Sequence, residues 1–211
     1  HHIVDPEKIK IIPPGICPAS EARCFDSDGE DQVVSIVLAG DLVSYHAFSF
    51  ALDSLSELHQ SGCDCAFFVM GPGPAERRLR LKADRLGITD VLTFVGGGVD
   101  QQLSDVYKSA DVFISPAPSD KVNMQSLLAM SAGLPVLAPA DTKDDFLIDH
   151  ETALLFEPRS SKDLNLKLEG LFFDRARTRA MVEKALDYLR ANHSPSAMVS
   201  ATAAAYRSMN T

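Results

Sequence analysis

The stretch SDKVNMQSLLAMSAGLPVLAP, residues 119–139, contains a polar loop, a helix and a strand in direct succession. Ser119 and Asp120 lie in the loop, the apolar residues of 125–132 recur at helical spacing, and residues 135–138 form an apolar run typical of a buried strand. Helices that alternate with buried strands are the pattern of βαβ units, which build parallel sheets. The stretch therefore predicts an α/β protein in which a polar loop precedes a helix that covers a parallel sheet.

The same alternation continues in both directions along the chain. Gly62 and Gly87 follow the first two helical segments and are predicted to end them. The predicted strands cover residues 33–39, 66–70, 91–95, 111–115, 135–138 and 153–156, with a further short strand at 9–12 before the sheet. Pro195 separates the last helix, residues 197–209, from the helix before it. We predict one doubly wound, Rossmann-like parallel sheet over residues 1–194, followed by a C-terminal helix over 195–211.

The composition indicates a soluble globular protein. A chain of 211 residues that is 45% hydrophobic is long enough to bury a sizeable core. Its net charge of −9 argues against a nucleic acid or an anionic membrane as partner, because either would need a basic face. The chain lacks a membrane-spanning apolar run and a signal-like start, so a cytoplasmic location is expected. Free thiols and no metal are also expected, because the spacing of the cysteines does not match a zinc site: Cys17, Cys24, Cys63 and Cys65.

Glycines follow three of the predicted strands. In a doubly wound sheet the ligand binds outside the carboxyl ends of the strands, where these loops converge. Glycine there allows backbone amides to approach a ligand, but it also suits a tight turn, and both interpretations stay open. Neither a dinucleotide-binding glycine fingerprint nor a Walker sequence is present, which argues against nicotinamide cofactors and P-loop nucleotides. The candidate ligand glycines are Gly40, Gly71, Gly96, Gly97 and Gly98.

Seven segments along the chain resemble, in the same order, the C-terminal donor-binding domain of group 1 glycosyltransferases. Among them are AGDLVSYHAF (39–48), FFVMGPGP (67–74), LSDVYKSADVFISPAPSD (103–120) and DHETALLFEP (149–158). These are retaining enzymes of the glycosyltransferase B fold, which is built from two Rossmann-like halves. The resemblance implies a nucleoside diphosphate sugar as donor, no other cofactor, and transfer of a hexose to a glycan or a lipid-linked acceptor.

The resemblance also implies a partner domain. In the family, an N-terminal half binds the acceptor, and the final helix packs against that half. We therefore expect this chain alone to be inactive, and we expect any membrane association to be peripheral and to occur only through the N-terminal domain.

Several donor-site side chains of the family differ in this chain. An arginine after the first glycine and a lysine five residues later neutralise the donor diphosphate in the family, whereas Asp41 and His46 stand there in this chain. A glutamate on the transferred sugar corresponds to Asp120, the predicted catalytic residue. A second glutamate on the ribose corresponds to Leu128, which cannot accept a hydrogen bond. The small GFG segment of the family corresponds to residues 121–123, which are Lys, Val and Asn in this chain.

Two hypotheses follow from these differences. Each lost charge-assisted hydrogen bond weakens donor binding by about 1.5–3 kcal/mol. If the remaining contacts still bind the donor, the chain is a working donor domain. If they do not, it is a degenerate homologue that acts as a binding or scaffold module. A sugar-nucleotide epimerase or a related sugar-phosphate protein is a third alternative. Lys121 and Lys143 either replace part of the missing positive charge or are simply solvated. Arg77, Arg78 and Arg80 are expected to form a solvated face of their helix. The predicted donor contacts are Gly40, His46, Gly71, Gly96, Gly97, Gly98, Ser119 and Lys121.

Overall fold

A computed structural model of the chain describes residues 9–23, 33–96, 100–116 and 122–209. Within these residues, six strands form one sheet in the order β3-β2-β1-β4-β5-β6, and all neighbouring strands are parallel. Each predicted strand of the sheet is confirmed to within one residue at either end. The strands are β1 (Val34–Ala39), β2 (Cys65–Met70), β3 (Leu92–Val95), β4 (Val112–Ile114), β5 (Val136–Pro139) and β6 (Leu154–Phe156). The predicted fold class, a doubly wound α/β sheet, is confirmed.

Helices connect the strands and cover both faces of the sheet. The first two end at the predicted glycines: Gly87 caps α2 in the left-handed conformation with φ of 69°, and Gly62, with φ of 91°, directly follows the cap of α1. Because glycine has no Cβ, it adopts these angles without strain. The helices are α1 (Tyr45–Gln60), α2 (Glu76–Leu86), α3 (Asp100–Ser109), α4 (Met124–Ser131), α5 (Ser161–Phe173), α6 (Arg175–Asn192) and α7 (Pro195–Met209).

The core consists of two layers, one on each face of the sheet. Ile36 and Leu38 of β1 pack into the layer formed with α1, α2 and α5, whereas Val37 and Ala39 pack into the layer formed with α3, α4 and α6. Successive residues of a strand point to opposite faces, and both faces of this sheet are covered. This double burial explains why the strands are almost continuously apolar and why they were visible in the sequence.

Asp111 links β1 and β4 at the amino edge of the sheet. Its Oδ2 accepts a hydrogen bond from the Ser35 amide at 2.8 Å, and its own amide donates to the Ser35 carbonyl at 2.8 Å. Burial raises the pKa of the Asp111 carboxyl, because the ionised form loses solvation, and the Ser35 amide opposes this shift. The contact is structural, since ligands in this fold bind at the opposite, carboxyl edge.

The strand predicted at residues 9–12 is wrong. This segment forms no strand and pairs with no described strand, and Ile11 is 87% exposed. The chain that follows joins the junction of α6 and α7 instead: the Ile16 amide donates to the His193 carbonyl at 2.8 Å, and His193 Nδ1 lies 3.1 Å from the Pro14 carbonyl oxygen. Two consecutive prolines, residues 13–14, also lack the amide donors that a ladder needs.

The C-terminal helix α7 begins at Pro195, two residues before the predicted start. Proline is favoured at the first helical position, where its missing amide hydrogen has no intrahelical partner. Gly15 packs under this start, because a Cβ on Gly15 would lie 2.7 Å from the Pro195 Cα. Packing of α7 on an N-terminal domain stays a prediction. None of the described helices is long and apolar enough to cross a bilayer.

Candidate functional site: the rim at the carboxyl ends of the strands

The strand order reverses beside β1, and this reversal locates the candidate site. β1 lies between β2 and β4, so the chain leaves β1 towards one edge of the sheet and later returns to the other side. Ligands of doubly wound proteins bind at such a switch point, outside the carboxyl ends of the strands. We call the described residues that follow these ends the rim: 40–44, 71–75, 96, 115–116, 122–123 and 140–145.

The amino end of α1 faces the rim directly after β1. Ser44 is the N-cap residue, yet within the described residues its side chain makes no capping hydrogen bond, and the first turn carries no acidic residue. The amide groups of this end and the helix dipole therefore suit an anion. Asp41 and His46 are both exposed on either side of Ser44, so the two predicted positions of donor phosphate contacts lie beside this helix end.

The loop after β2 supports the loop after β1 through backbone contacts. The Leu42 amide donates to the Pro72 carbonyl at 2.9 Å, and the Leu42 carbonyl accepts from the Ala75 amide at 2.9 Å. A Cβ on Gly71, which has φ of 133°, would lie 2.0 Å from the Gly40 carbonyl oxygen. Gly71 is thus required for packing between the two loops, and its predicted contact with the donor stays a prediction.

Arg78 is a cation near the rim that the sequence analysis assigned only to a solvated helix face. Its guanidinium carbon lies 4.1 Å from the centroid of the Tyr45 ring, at the first residue of α1. The Tyr45 ring in turn contacts the His46 ring edge-on, with centroids 5.4 Å apart. Arg78 is exposed as predicted, but this stacking holds its positive charge next to the amino end of α1. The signal in the sequence was an arginine in the first turn of a helix that follows a glycine loop.

A polar network closes the other side of the switch point. Asn123 caps α4, accepting from the Ser126 amide at 3.1 Å, while its Nδ2 donates to the Ser115 hydroxyl at 2.8 Å. The Asn123 amide also donates to Asp144 Oδ1 at 3.1 Å, and Asp144 Oδ2 accepts from the Thr142 hydroxyl at 3.0 Å. The network therefore ties the end of β4 and the start of α4 to the loop after β5. Neither Asn123 nor Asp144 was singled out as a ligand residue from the sequence.

The remaining predicted site residues are only partly within the described chain. Gly96 is exposed at the end of β3, with no described atom within 4 Å of the position of a Cβ. Leu128 is half-buried and packs against the core layer under α4, as expected for a residue that replaces the ribose contact. Lys143 is exposed on the loop after β5. The following predictions lie outside the described residues: Gly97, Gly98, Ser119, Asp120 and Lys121.

The described cysteines lie away from the rim. Cys17, Cys63 and Cys65 are free thiols, and Cys24 lies outside the described residues. A hydrogen bond from the Cys65 thiol lowers the pKa of Cys63 to about 7, against the opposing effects of burial and of the Asp64 charge. In the part of the chain that the structure describes, no group of three or more potential ligands is placed to hold a metal ion.

Comparison with curated proteins gives matches of limited length. The chain is 29% identical over 171 residues to the sulfoquinovosyl transferase of Arabidopsis thaliana, which covers 79% of this chain and 32% of that protein. It is 25% identical over 201 residues to the lipopolysaccharide glucosyltransferase of Escherichia coli, which covers 89% of this chain and 53% of that protein. The chain thus spans about a third to a half of the length of these relatives.

Solved structures share the fold. A glycosyltransferase from Rickettsia africae superposes with a TM-score of 0.80 at 17% identity, over 97% of this chain and 58% of that one. Anabaena HepE, in complex with UDP and glucose, gives a TM-score of 0.72 at 16% identity, over 84% of this chain and 48% of HepE. The C-terminal domain of a group 1 glycosyl transferase from Francisella tularensis gives a TM-score of 0.69 at 18% identity, over 85% of this chain and 96% of that domain.

The family itself is shown by a model of group 1 glycosyl transferases, which matches residues 34–174, more than half of the chain. The matched region contains every strand of the sheet and all of the described rim. By its sequence and its fold, the chain belongs to the group 1 glycosyl transferases.

Proposed function

We propose that this chain is the C-terminal, nucleotide-sugar-binding half of a retaining glycosyltransferase that moves a hexose from a sugar nucleotide to a glycan or a lipid-linked acceptor. One observation carries the proposal: the amino end of α1 lies at the switch point of the sheet without a side-chain cap from the described residues and without an acidic residue in its first turn. A helix end of this kind stabilises a diphosphate, the most highly charged part of a sugar nucleotide.

The structural neighbours support this ligand class. Anabaena HepE binds UDP with glucose, and a pneumococcal transferase with a TM-score of 0.72 binds UDP with GlcNAc. The shared fold with the C-terminal domain of a group 1 family protein from Francisella tularensis supports the assignment to a C-terminal domain. The acceptor would be held by an N-terminal half, in keeping with the partial coverage of the relatives, and the transferase activity would require both halves.

The rim residues have distinct roles in this proposal. Arg78, which stacks on Tyr45, supplies positive charge to the diphosphate, and His46, whose ring meets the Tyr45 ring edge-on, supplies a hydrogen-bond donor. Their attraction would increase as the bond to the sugar breaks, because the leaving diphosphate then gains negative charge. Asp120 accepts hydrogen bonds from hydroxyl groups of the transferred sugar. Asn123 and Asp144 act as positioning residues, since their network anchors the loop that carries Asp120 at its C-terminal end.

A degenerate, non-catalytic module is the second candidate function. Asp41 favours it, because this exposed carboxylate lies where a donor phosphate would approach and would repel it. Leu128 favours it too, because it packs into the core and offers no acceptor for ribose hydroxyls. The free thiols are consistent with a reducing, cytoplasmic location, which we propose for either function.

Calorimetric titration separates the two functions. The chain is titrated with UDP, GDP and ADP and with their hexose derivatives. We expect micromolar binding of one of these series, about tenfold weaker in Arg78→Gln and unaffected in Arg85→Gln, which removes an equal charge from the far end of α2. Loss of the preference for the sugar derivative in Asp120→Ala would support the proposed contact with the sugar. If the chain binds none of these nucleotides, a working donor site is contradicted, and the degenerate, non-catalytic module becomes the proposed function.

A further inference from the structure

A cavity lies at the opposite end of the sheet from the rim. It has a volume of about 340 Å³ and opens between β6, α5 and α6. His150 and Leu154 line it at the amino end of β6, whereas the rim follows the carboxyl ends of the strands. The cavity is therefore separate from the proposed donor site, and none of the functions assigned above uses it.

The floor and the lip of this cavity are apolar. Leu171 and Met181 are buried at its floor, while Phe173 at the turn between α5 and α6 is 94% exposed. Leu166, which also lines the cavity, is 55% exposed. Isolated exposed apolar residues are common, but here they border a concave apolar surface that continues into the core. A ligand with an apolar chain would remove both side chains from water.

The mouth of the cavity is basic, although the protein as a whole is acidic. Arg177 Nη2 lies 3.3 Å from His150 Nδ1, and Lys167 also lines the cavity. Arginine has donors only, so His150 Nδ1 accepts, and its Nε2–H faces the Asp149 carboxylate at 3.5 Å. Among the described residues that line the cavity, the carboxylate is that of Asp174, which accepts a hydrogen bond from the Arg177 amide as the cap of α6. Asp149 lies beside His150 and does not line the cavity, so the lining itself carries two permanent cations and one capped carboxylate, which favours an anionic head group.

Gly170 forms part of one wall of the cavity. It lies inside α5, where glycine is less favourable than alanine because it loses more backbone freedom on folding. No described atom lies within 4 Å of the position of a Cβ on Gly170, so packing within the described chain does not require a glycine there. Because Gly170 lines the cavity and its Cβ position is open, a larger side chain there has free space at the cavity wall.

We propose that this cavity binds a monomeric amphiphile with a single acyl chain and a carboxylate head group. The acyl chain packs on Leu171, Met181 and the ring of Phe173, and the carboxylate binds Arg177 and Lys167 at the mouth. The site does not depend on the proposed donor site, and nucleotide titration of the rim tests the latter separately.

Fluorescence provides a direct assay, because the chain contains no tryptophan. The Phe173→Trp variant carries a single indole at the lip of the cavity. We expect decanoate, kept below its micellar concentration, to shift the indole emission to the blue in a saturable manner. Decyltrimethylammonium has the same chain length and the opposite charge, and we expect it to bind at least about fivefold more weakly. Equal binding of the two amphiphiles would contradict the basic mouth as the head-group site.

Two further variants on this background test the position of the ligand. Gly170→Leu should abolish the shift while the far-ultraviolet circular dichroism is retained, because leucine is the better helix former. Arg177→Gln should weaken decanoate binding about three- to tenfold, whereas Lys184→Gln, an equal loss of charge further along α6, should leave it unchanged. An undiminished shift in folded Gly170→Leu, or equal weakening by both charge removals, would overturn the proposal.

Discussion

Replacing Asp41 by arginine and His46 by lysine is predicted to strengthen binding of UDP to this chain. Both side chains are exposed, one on each side in sequence of Ser44, whose side chain makes no described capping bond at the amino end of α1. Arg78 of α2 already stacks on Tyr45, the first residue of α1. The double substitution removes one negative charge and adds two positive charges at the position proposed for the diphosphate. Because both side chains are exposed, their replacement leaves the buried core unchanged.

The magnitude follows from the exposure of these side chains. A hydrogen bond to a charged group contributes about 1.5–3 kcal/mol, and solvent screening at an exposed rim favours the lower value. Two such bonds give about 3 kcal/mol, which corresponds to roughly a hundredfold lower Kd for UDP. The gain should shrink as the salt concentration rises, because the Debye length falls from about 10 Å at 0.1 M to about 3 Å at 1 M.

Calorimetric titration with UDP at low and high salt measures this effect. The control is Thr89→Lys with Asp90→Arg, which makes the same change in net charge on two exposed residues before the amino end of β3. If the control tightens UDP binding as much as the rim variant does, the effect comes from net charge alone. If the rim variant leaves the Kd unchanged, the diphosphate does not bind at the amino end of α1, and our reasoning is refuted.

Three further predictions concern stability and reactivity. Gly71→Ala should destabilise the fold by at least about 2 kcal/mol in urea denaturation, because its Cβ would collide with backbone at 2.0 Å, whereas Gly170→Ala should be neutral or stabilising. With Cys17 and Cys24 replaced by serine, alkylation of Cys63 should accelerate with a midpoint at about pH 7, and Cys65→Ala should slow it at pH 7 by removing the hydrogen bond to the thiolate. Asp111 has a raised pKa in the folded state, so the folded chain binds more protons and its stability should fall as pH rises through that range; Asp111→Asn, which keeps an acceptor, should therefore be at least as stable as wild type at pH 7 by urea denaturation and should lose that advantage at pH 4.

Most of the fold was predictable because the sheet is covered on both faces. Residues such as Val37 and Phe113 are buried whichever way they point, so each strand appears in the sequence as a short apolar run. The glycines that end α1 and α2 were equally visible, since left-handed backbone at a helix end favours glycine. The strand predicted at 9–12 was wrong, because apolar content alone does not reveal that the residues that follow bind the α6–α7 junction instead of a sheet edge.

The candidate site was predictable in location but not in its contacts. The alternation of strands and helices predicted a site where the loops at the carboxyl ends of the strands converge, and the strand order of the structure places the switch point beside β1 and β4. The stacking of Arg78 on Tyr45 and the hydrogen bond between Asn123 and Ser115 join residues from different βαβ units. Such contacts depend on how the helices pack side by side, and no local pattern encodes that geometry. Asp120, the predicted catalytic residue, stays a prediction.

Backbone amide chemical shifts during a titration with UDP locate the bound nucleotide on the sheet. We expect the largest changes at Gly40, Ser44 and Asn123 around the switch point, while amides at the amino edge of the sheet, such as those of Ser35 and Asp111, stay unchanged. Saturable shifts that cluster at the amino edge, or that avoid the amino end of α1, would contradict a nucleotide-sugar site at the rim.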